Sequence, residues 1–121
     1  MEIKKIKCDF TICRINDISN VDFTREFVFL SKTDDEISLV CESDYVPATA
    51  IASEADWKAL KILGILDFGM VGVIAKISAL LSEASISIFV VSTYNTDYIF
   101  VKTESIDKTL NVLAQNGYVI K

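Results

Sequence analysis

The chain has 121 residues, 51% of them hydrophobic, with four glycines and one proline; that is enough apolar material for one globule or two very small units, and too much for a disordered chain. A formal net charge of −5, with Lys4, Lys5 and Lys7 as the one basic cluster, argues against nucleic acid as a partner, because phosphate binding needs a basic surface. No histidine is present, so Ser-His and Cys-His nucleophile pairs are excluded.

Cys8, Cys13 and Cys41 lie in apolar-patterned stretches without zinc-ligand spacing. They read as buried thiols of a reducing compartment, and neither a metal nor a cofactor is expected. The start Met1-Glu-Ile-Lys-Lys lacks the apolar segment of a secretion signal, and no apolar run reaches membrane-spanning length unbroken. The expectation is a cytoplasmic chain with no membrane partner.

In chain order, residues 3–15 read as a strand. Asn16-Asp17-Ile18-Ser19-Asn20 is a break rich in turn residues, followed by a short helix or irregular segment through Arg25. Phe27–Thr33 and Glu36–Glu42 read as antiparallel strands around Asp34-Asp35. Residues 45–56, with Pro47 and several alanines, read as a loop or a poor helix. A strand is expected over 57–66, then a glycine-marked loop, Asp67-Phe68-Gly69-Met70-Val71-Gly72. Apolar residues at 73, 74, 77, 80, 81 and 84 have helical spacing with one buried face. Strands over 85–92 and 98–103 follow, then a helix from Ile106 that Ser105 can cap and Asn116-Gly117 ends. Tyr118–Ile120 closes the chain as a short strand. The second half therefore reads strand, helix, strand, strand, helix, strand: an α+β, ferredoxin-like sheet with both helices on one face.

An internal repeat appears when the chain is shifted by 61 residues. Phe27–Ser31 then falls on Ile88–Ser92, and Asp34-Asp35-Glu36 on Asn95-Thr96-Asp97. Serine meets serine and acid meets acid, at an offset near half the chain length. Duplication is the reading, with a first unit over 1–56, truncated or sharing the strand at 57–66, and a second over 57–121.

Three segments carry a family resemblance. Gly64-Ile-Leu-Asp-Phe-Gly-Met-Val-Gly-Val73, Ile86-Ser-Ile-Phe-Val-Val-Ser-Thr-Tyr-Asn-Thr-Asp-Tyr-Ile-Phe-Val101 and Ser31-Lys-Thr-Asp-Asp-Glu-Ile-Ser-Leu-Val40 resemble the ACT domain. They are similar, more narrowly, to small bacterial proteins with two ACT units and to the related cytosolic arginine sensors called CASTOR. Asp56-Trp57-Lys-Ala-Leu resembles the strand between the units of that group. The resemblance implies a βαββαβ fold, no catalysis, a small effector that is usually an amino acid, and a homodimer. It places the ligand site at Phe68, Gly69, Met70, Val71, Gly72 and Val73, together with Thr93, Tyr94 and Asp97. Gly69-Met70-Val71 departs from relatives that often carry polar residues there.

The chemistry of those residue types suits an amino acid. Glycines before a helix let an anion approach backbone N–H groups at the positive end of the dipole, although they also serve simply to shape a tight turn. Asp97 can pair with an ammonium group through a charge-assisted hydrogen bond, or act only as a turn residue. The alternatives are a protein-interaction module that has lost its ligand, for which the apolar Met70-Val71 speaks, and a carboxylate enzyme using Asp34, Asp35 and Glu36, which a solvated turn explains better.

Overall fold

Eight strands and two α-helices form among the described residues, 1–64 and 72–121, of the computed structural model. Their order is β1 Glu2–Lys5, β2 Phe10–Ile15, β3 Val28–Lys32, β4 Ile37–Glu42, β5 Ala52–Ile62, α1 Val73–Glu83, β6 Phe89–Ser92, β7 Asp97–Lys102, α2 Ile106–Gln115 and β8 Val119–Ile120. The chain divides into two compact units, a central one over Cys8–Trp57 and a flanking one made of Met1–Lys7 with Lys58–Lys121.

The flanking unit holds the mixed α+β arrangement expected of a ferredoxin-like fold. Its strand order is β8-β1-β5-β7-β6, with β1 antiparallel to β5 and parallel to β8. The helices α1 and α2 pack on the sheet face that carries Ile3, Leu60, Ile62, Ile99 and Val101. Ile77, Leu81 and Leu113 supply the fully buried helical side of that core, and Val73, Ile74, Leu80 and Ala84 pack around it. The apolar stripe of α1 is thus the one its spacing predicts. Both helices end in a Schellman turn. Ser85 (φ 61°) and Gly117 (φ 91°) take the left-handed position, and the N–H groups of Ile86 and Tyr118 return to the carbonyls of Leu81 and Leu113.

The central unit has strand order β3-β4-β2-β5, all pairs antiparallel. Its small core is Cys13, Ile15, Leu39 and Cys41, covered by Val21, Val46 and Ala50 from the loops on either side of the β3–β4 hairpin. Strand β5 serves both units. Residues 52–57 pair with β2, and Leu60–Ile62 pair with β1. A bulge opposite Thr11 shifts the β2–β5 register, and Asp56 there adopts φ 69°.

Several expectations change. The strand over 3–15 is two strands, because its halves pair with different parts of β5. Strand β5 begins at Ala52, inside the stretch read as loop or poor helix. Residues 52–56 are exposed, so backbone pairing forms the strand with no burial pattern to mark it. Between Asn16 and Arg25 there is no helix. Ser19 N–H donates to Asp17 Oδ1 and Thr24 N–H to Asp22 Oδ1, each at 2.9 Å, and these two Asx turns compete with helical bonds. Strand β6 starts at Phe89 because the chain must first leave the α1 turn.

The β3–β4 and β6–β7 hairpins correspond at an offset of 60, not 61. Burial along β4 and β7 follows one pattern, and both strands run directly into a 3-10 turn, Ser43–Tyr45 and Thr103–Ser105. The pairs Phe29–Val40 and Phe89–Phe100 occupy matching ladder positions, as do Lys32–Ile37 and Ser92–Asp97. Matching serine to serine slips the register by one residue, which would turn every side chain to the other face.

Candidate functional site

The turn between β6 and β7 is built by two threonines. Thr93 N–H donates to the Thr96 carbonyl at 2.8 Å, and Thr93 Oγ1 donates to the same oxygen at 2.9 Å. Thr96 itself is buried, and its Oγ1 donates to the Ile62 carbonyl at 2.7 Å. A buried hydroxyl needs such a partner, and the bond holds the turn against the end of β5. Tyr94, at the tip, is 81% exposed. Asp97 opens β7 opposite Ser92 and is half-buried. Thr96 was not among the expected site residues. The signal was present, a threonine inside a turn in an otherwise exposed run, but its burial depends on a strand 34 positions away.

Of the loop residues, Phe68, Gly69, Met70 and Val71 lie outside the described residues. Gly72 caps α1 with φ 82°, a conformation that favours glycine, and its carbonyl accepts the first helical bond, from Lys76 N–H at 2.9 Å. No acidic side chain stands in the first turn of α1 to offset the dipole there. Gly72 and Val73 line an open hollow of about 870 Å³ that also includes Lys76, Glu83 and Tyr118. Thr93, Tyr94 and Asp97 are not among the residues lining it. The described part of the site therefore consists of a helix start beside a hollow whose lining includes Lys76, Glu83 and Met1, and a separately anchored turn.

Other reactive groups offer less. Cys13 and Cys41 are buried in the central unit. Burial pushes both thiols up, Cys41 to about 12, so neither is a thiolate nucleophile at neutral pH. Cys8 is only half-buried. Among the described residues no cluster of three or more His, Cys, Asp or Glu side chains could hold a metal ion, and no helix is long and apolar enough to cross a membrane.

Comparison with known proteins extends this geometry. No curated protein matches the sequence. Among solved structures, the chain is similar to a protein from Agobacterium tumefaciens, at 29% identity over 99% of this chain and 91% of that one, with a TM-score of 0.88. It is similar to a Vibrio cholerae protein described as of unknown function and a possible transport protein, at 22% identity over 92% and 85%, TM-score 0.78. It also shares its fold with the ligand-free regulatory subunit of aspartate kinase from Thermus thermophilus, at 10% identity over 93% and 95%, TM-score 0.65. The model of the ACT domain matches residues 52–115, more than half of the chain, and that stretch runs from β5 to the end of α2. The chain belongs to the ACT domain family.

Proposed function

We propose that this protein is a non-catalytic sensor that binds a free amino acid and passes the bound state to a partner. The observation that carries the reading is the ACT match over 52–115, which encloses both residues 65–71 and the turn that Thr96 fastens to β5. The ligand carboxylate sits on the backbone N–H groups at the start of α1, within Phe68-Gly69-Met70-Val71-Gly72-Val73. Asp97 receives the ammonium group, with Thr93 and Tyr94 beside it. The central unit is a second ACT-like unit related to the flanking one by duplication, reduced where its helices would be. The protein works in the cytoplasm as a homodimer, like the two-unit sensors it resembles.

Thermal unfolding in the presence of each standard amino acid tests the reading. Ligand that binds only the folded state raises the melting temperature, by about 2.7 kcal/mol of stabilisation at one hundred times Kd. One amino acid, or a small set of related ones, is expected to raise it, and Asp97→Ala to abolish the rise without unfolding the chain. No response to any of them would overturn the proposal, as would a response that Asp97→Ala leaves intact.

A further inference from the structure

The two units differ in charge and in what they leave at the surface. The central unit holds eleven acidic and three basic residues, a net charge of −8, whereas the flanking unit holds six acidic and nine basic, a net of +3. The central unit also supplies five of the eight large apolar side chains exposed among the described residues: Ile18, Phe23, Leu30, Tyr45 and Ile51. Phe23 is 56% exposed, Ile51 52% and Ile18 50%.

Four of the five, Ile18, Phe23, Tyr45 and Ile51, lie in the loops at 16–27 and 43–51. In the flanking unit, Ile99 and Val101 face the helices α1 and α2. Their counterparts at the 60-residue offset, Leu39 and Cys41, face only the loops at 16–27 and 43–51. The side of the sheet that carries helices in one unit carries loops in the other. Those loops are nonetheless fixed in place. Asn20 Nδ2 donates to Thr49 Oγ1 at 3.4 Å, Arg25 pairs with Glu42 at 3.2 Å, and the Arg25 guanidinium lies 4.1 Å over the Tyr45 ring. The result is a preformed acidic surface studded with apolar side chains, which a monomeric protein rarely exposes without a partner.

We infer that this loop face of the central unit docks a basic amphipathic helix of another protein, with Phe23, Ile51 and Ile18 taking its apolar side and the surrounding carboxylates its lysines or arginines. Charge sets the choice of partner, since a unit with a net charge of −8, whose loops carry Asp17, Asp22, Glu26 and Asp44, repels anionic lipid and nucleic acid and attracts a cationic segment. The exposed apolar side chains of the loops set its shape, because a segment that meets both them and the carboxylates needs an apolar side and a cationic side, as an amphipathic helix has. The inference is independent of the amino-acid site, which lies in the flanking unit.

The test uses the full chain and a labelled synthetic peptide that forms a helix with leucines on one side and lysines on the other, followed by fluorescence anisotropy and backbone NMR. Saturable binding is expected, with shift changes centred on 16–27 and 43–51. Phe23→Ser combined with Ile51→Ser should weaken it about tenfold or more, the scale of losing interface anchors. Glu26→Gln combined with Asp44→Asn should weaken it severalfold and reduce its dependence on salt. Both sets of changes are on exposed side chains, and thermal unfolding confirms that the variants fold. Equal binding of a scrambled peptide or of one with glutamates in place of lysines would overturn the inference. So would shifts confined to the flanking unit. Sedimentation showing that the chain self-associates through Phe23 and Ile51 would assign the face to a second copy and overturn it equally.

Discussion

The β3–β4 and β6–β7 hairpins share one backbone plan. Thr33 N–H donates to the Glu36 carbonyl at 2.9 Å, as Thr93 N–H does to Thr96 at 2.8 Å. Each threonine hydroxyl also accepts a backbone N–H within its own turn, Thr33 from Asp35 and Glu36, Thr93 from Thr96. The difference is the last turn residue. Thr96 is buried and bonded to Ile62, whereas Glu36 is exposed beside Asp34 and Asp35. One turn is locked into a unit whose core is covered by helices, and the other is a solvated acidic tip in a unit whose core cluster is covered by loops. Two hairpins with one backbone plan thus present different surfaces because of what is buried around them.

The largest effect should come from the two cores. Ile99→Ala is expected to cost about 2–5 kcal/mol in denaturant unfolding, since it empties a fully buried site. Its counterpart Leu39→Ala should fall at the low end of about 2–5 kcal/mol, because loops can collapse into the space more readily than helices. A larger loss at Leu39 than at Ile99 would break the contrast. Next comes the anchor. Thr96→Val should cost about 1–3 kcal/mol by leaving the Ile62 carbonyl unpaired in the interior, and Glu36→Gln should stay within about 0.5 kcal/mol. If the two changes cost the same, the locked turn is no more fixed than the open one.

Smaller still are the turn threonines. Thr33→Ala and Thr93→Ala should each cost about 0.5–1.5 kcal/mol, and near-equal losses would sharpen the equivalence at offset 60. The smallest effect is a pH response of two Asx turns in the central unit. Hydrogen bonds from Ser19 and from Thr24 hold the Asp17 and Asp22 carboxyls below the ordinary aspartate range. The folded value lies below the unfolded one, so the stabilisation is complete above the unfolded value, near about 3.9, and is lost as pH falls through the lower folded value. NMR titration should show the Ser19 and Thr24 amides moving at that lower pH. Titration of either carboxyl at the ordinary value would mean its Asx turn is not held in solution.

Much of this was legible in the chain itself. The strand-helix-strand-strand-helix-strand order of the second half, the stripe of α1 and the glycine stop of α2 are written in local spacing and turn chemistry, which act over a few residues. Of the expected site residues, Gly72 and Val73 stand at the start of α1, and Thr93, Tyr94 and Asp97 lie in or beside the β6–β7 turn, apart from the hollow at that helix start. Tertiary structure decided the rest. Residues 52–56 become strand by pairing with β2 while remaining exposed, which no apolar alternation announces. The division of 3–15 into β1 and β2 depends on partners about fifty positions away. Thr96 acquires its role from one carbonyl in a distant strand. The repeat offset rested on residue identity in the sequence, and hydrogen-bond register moved it by one. Local periodicity determines which segments become helix or strand. Long-range pairing determines their register, the burial of a polar side chain, and hence which of two like turns is built into the fold.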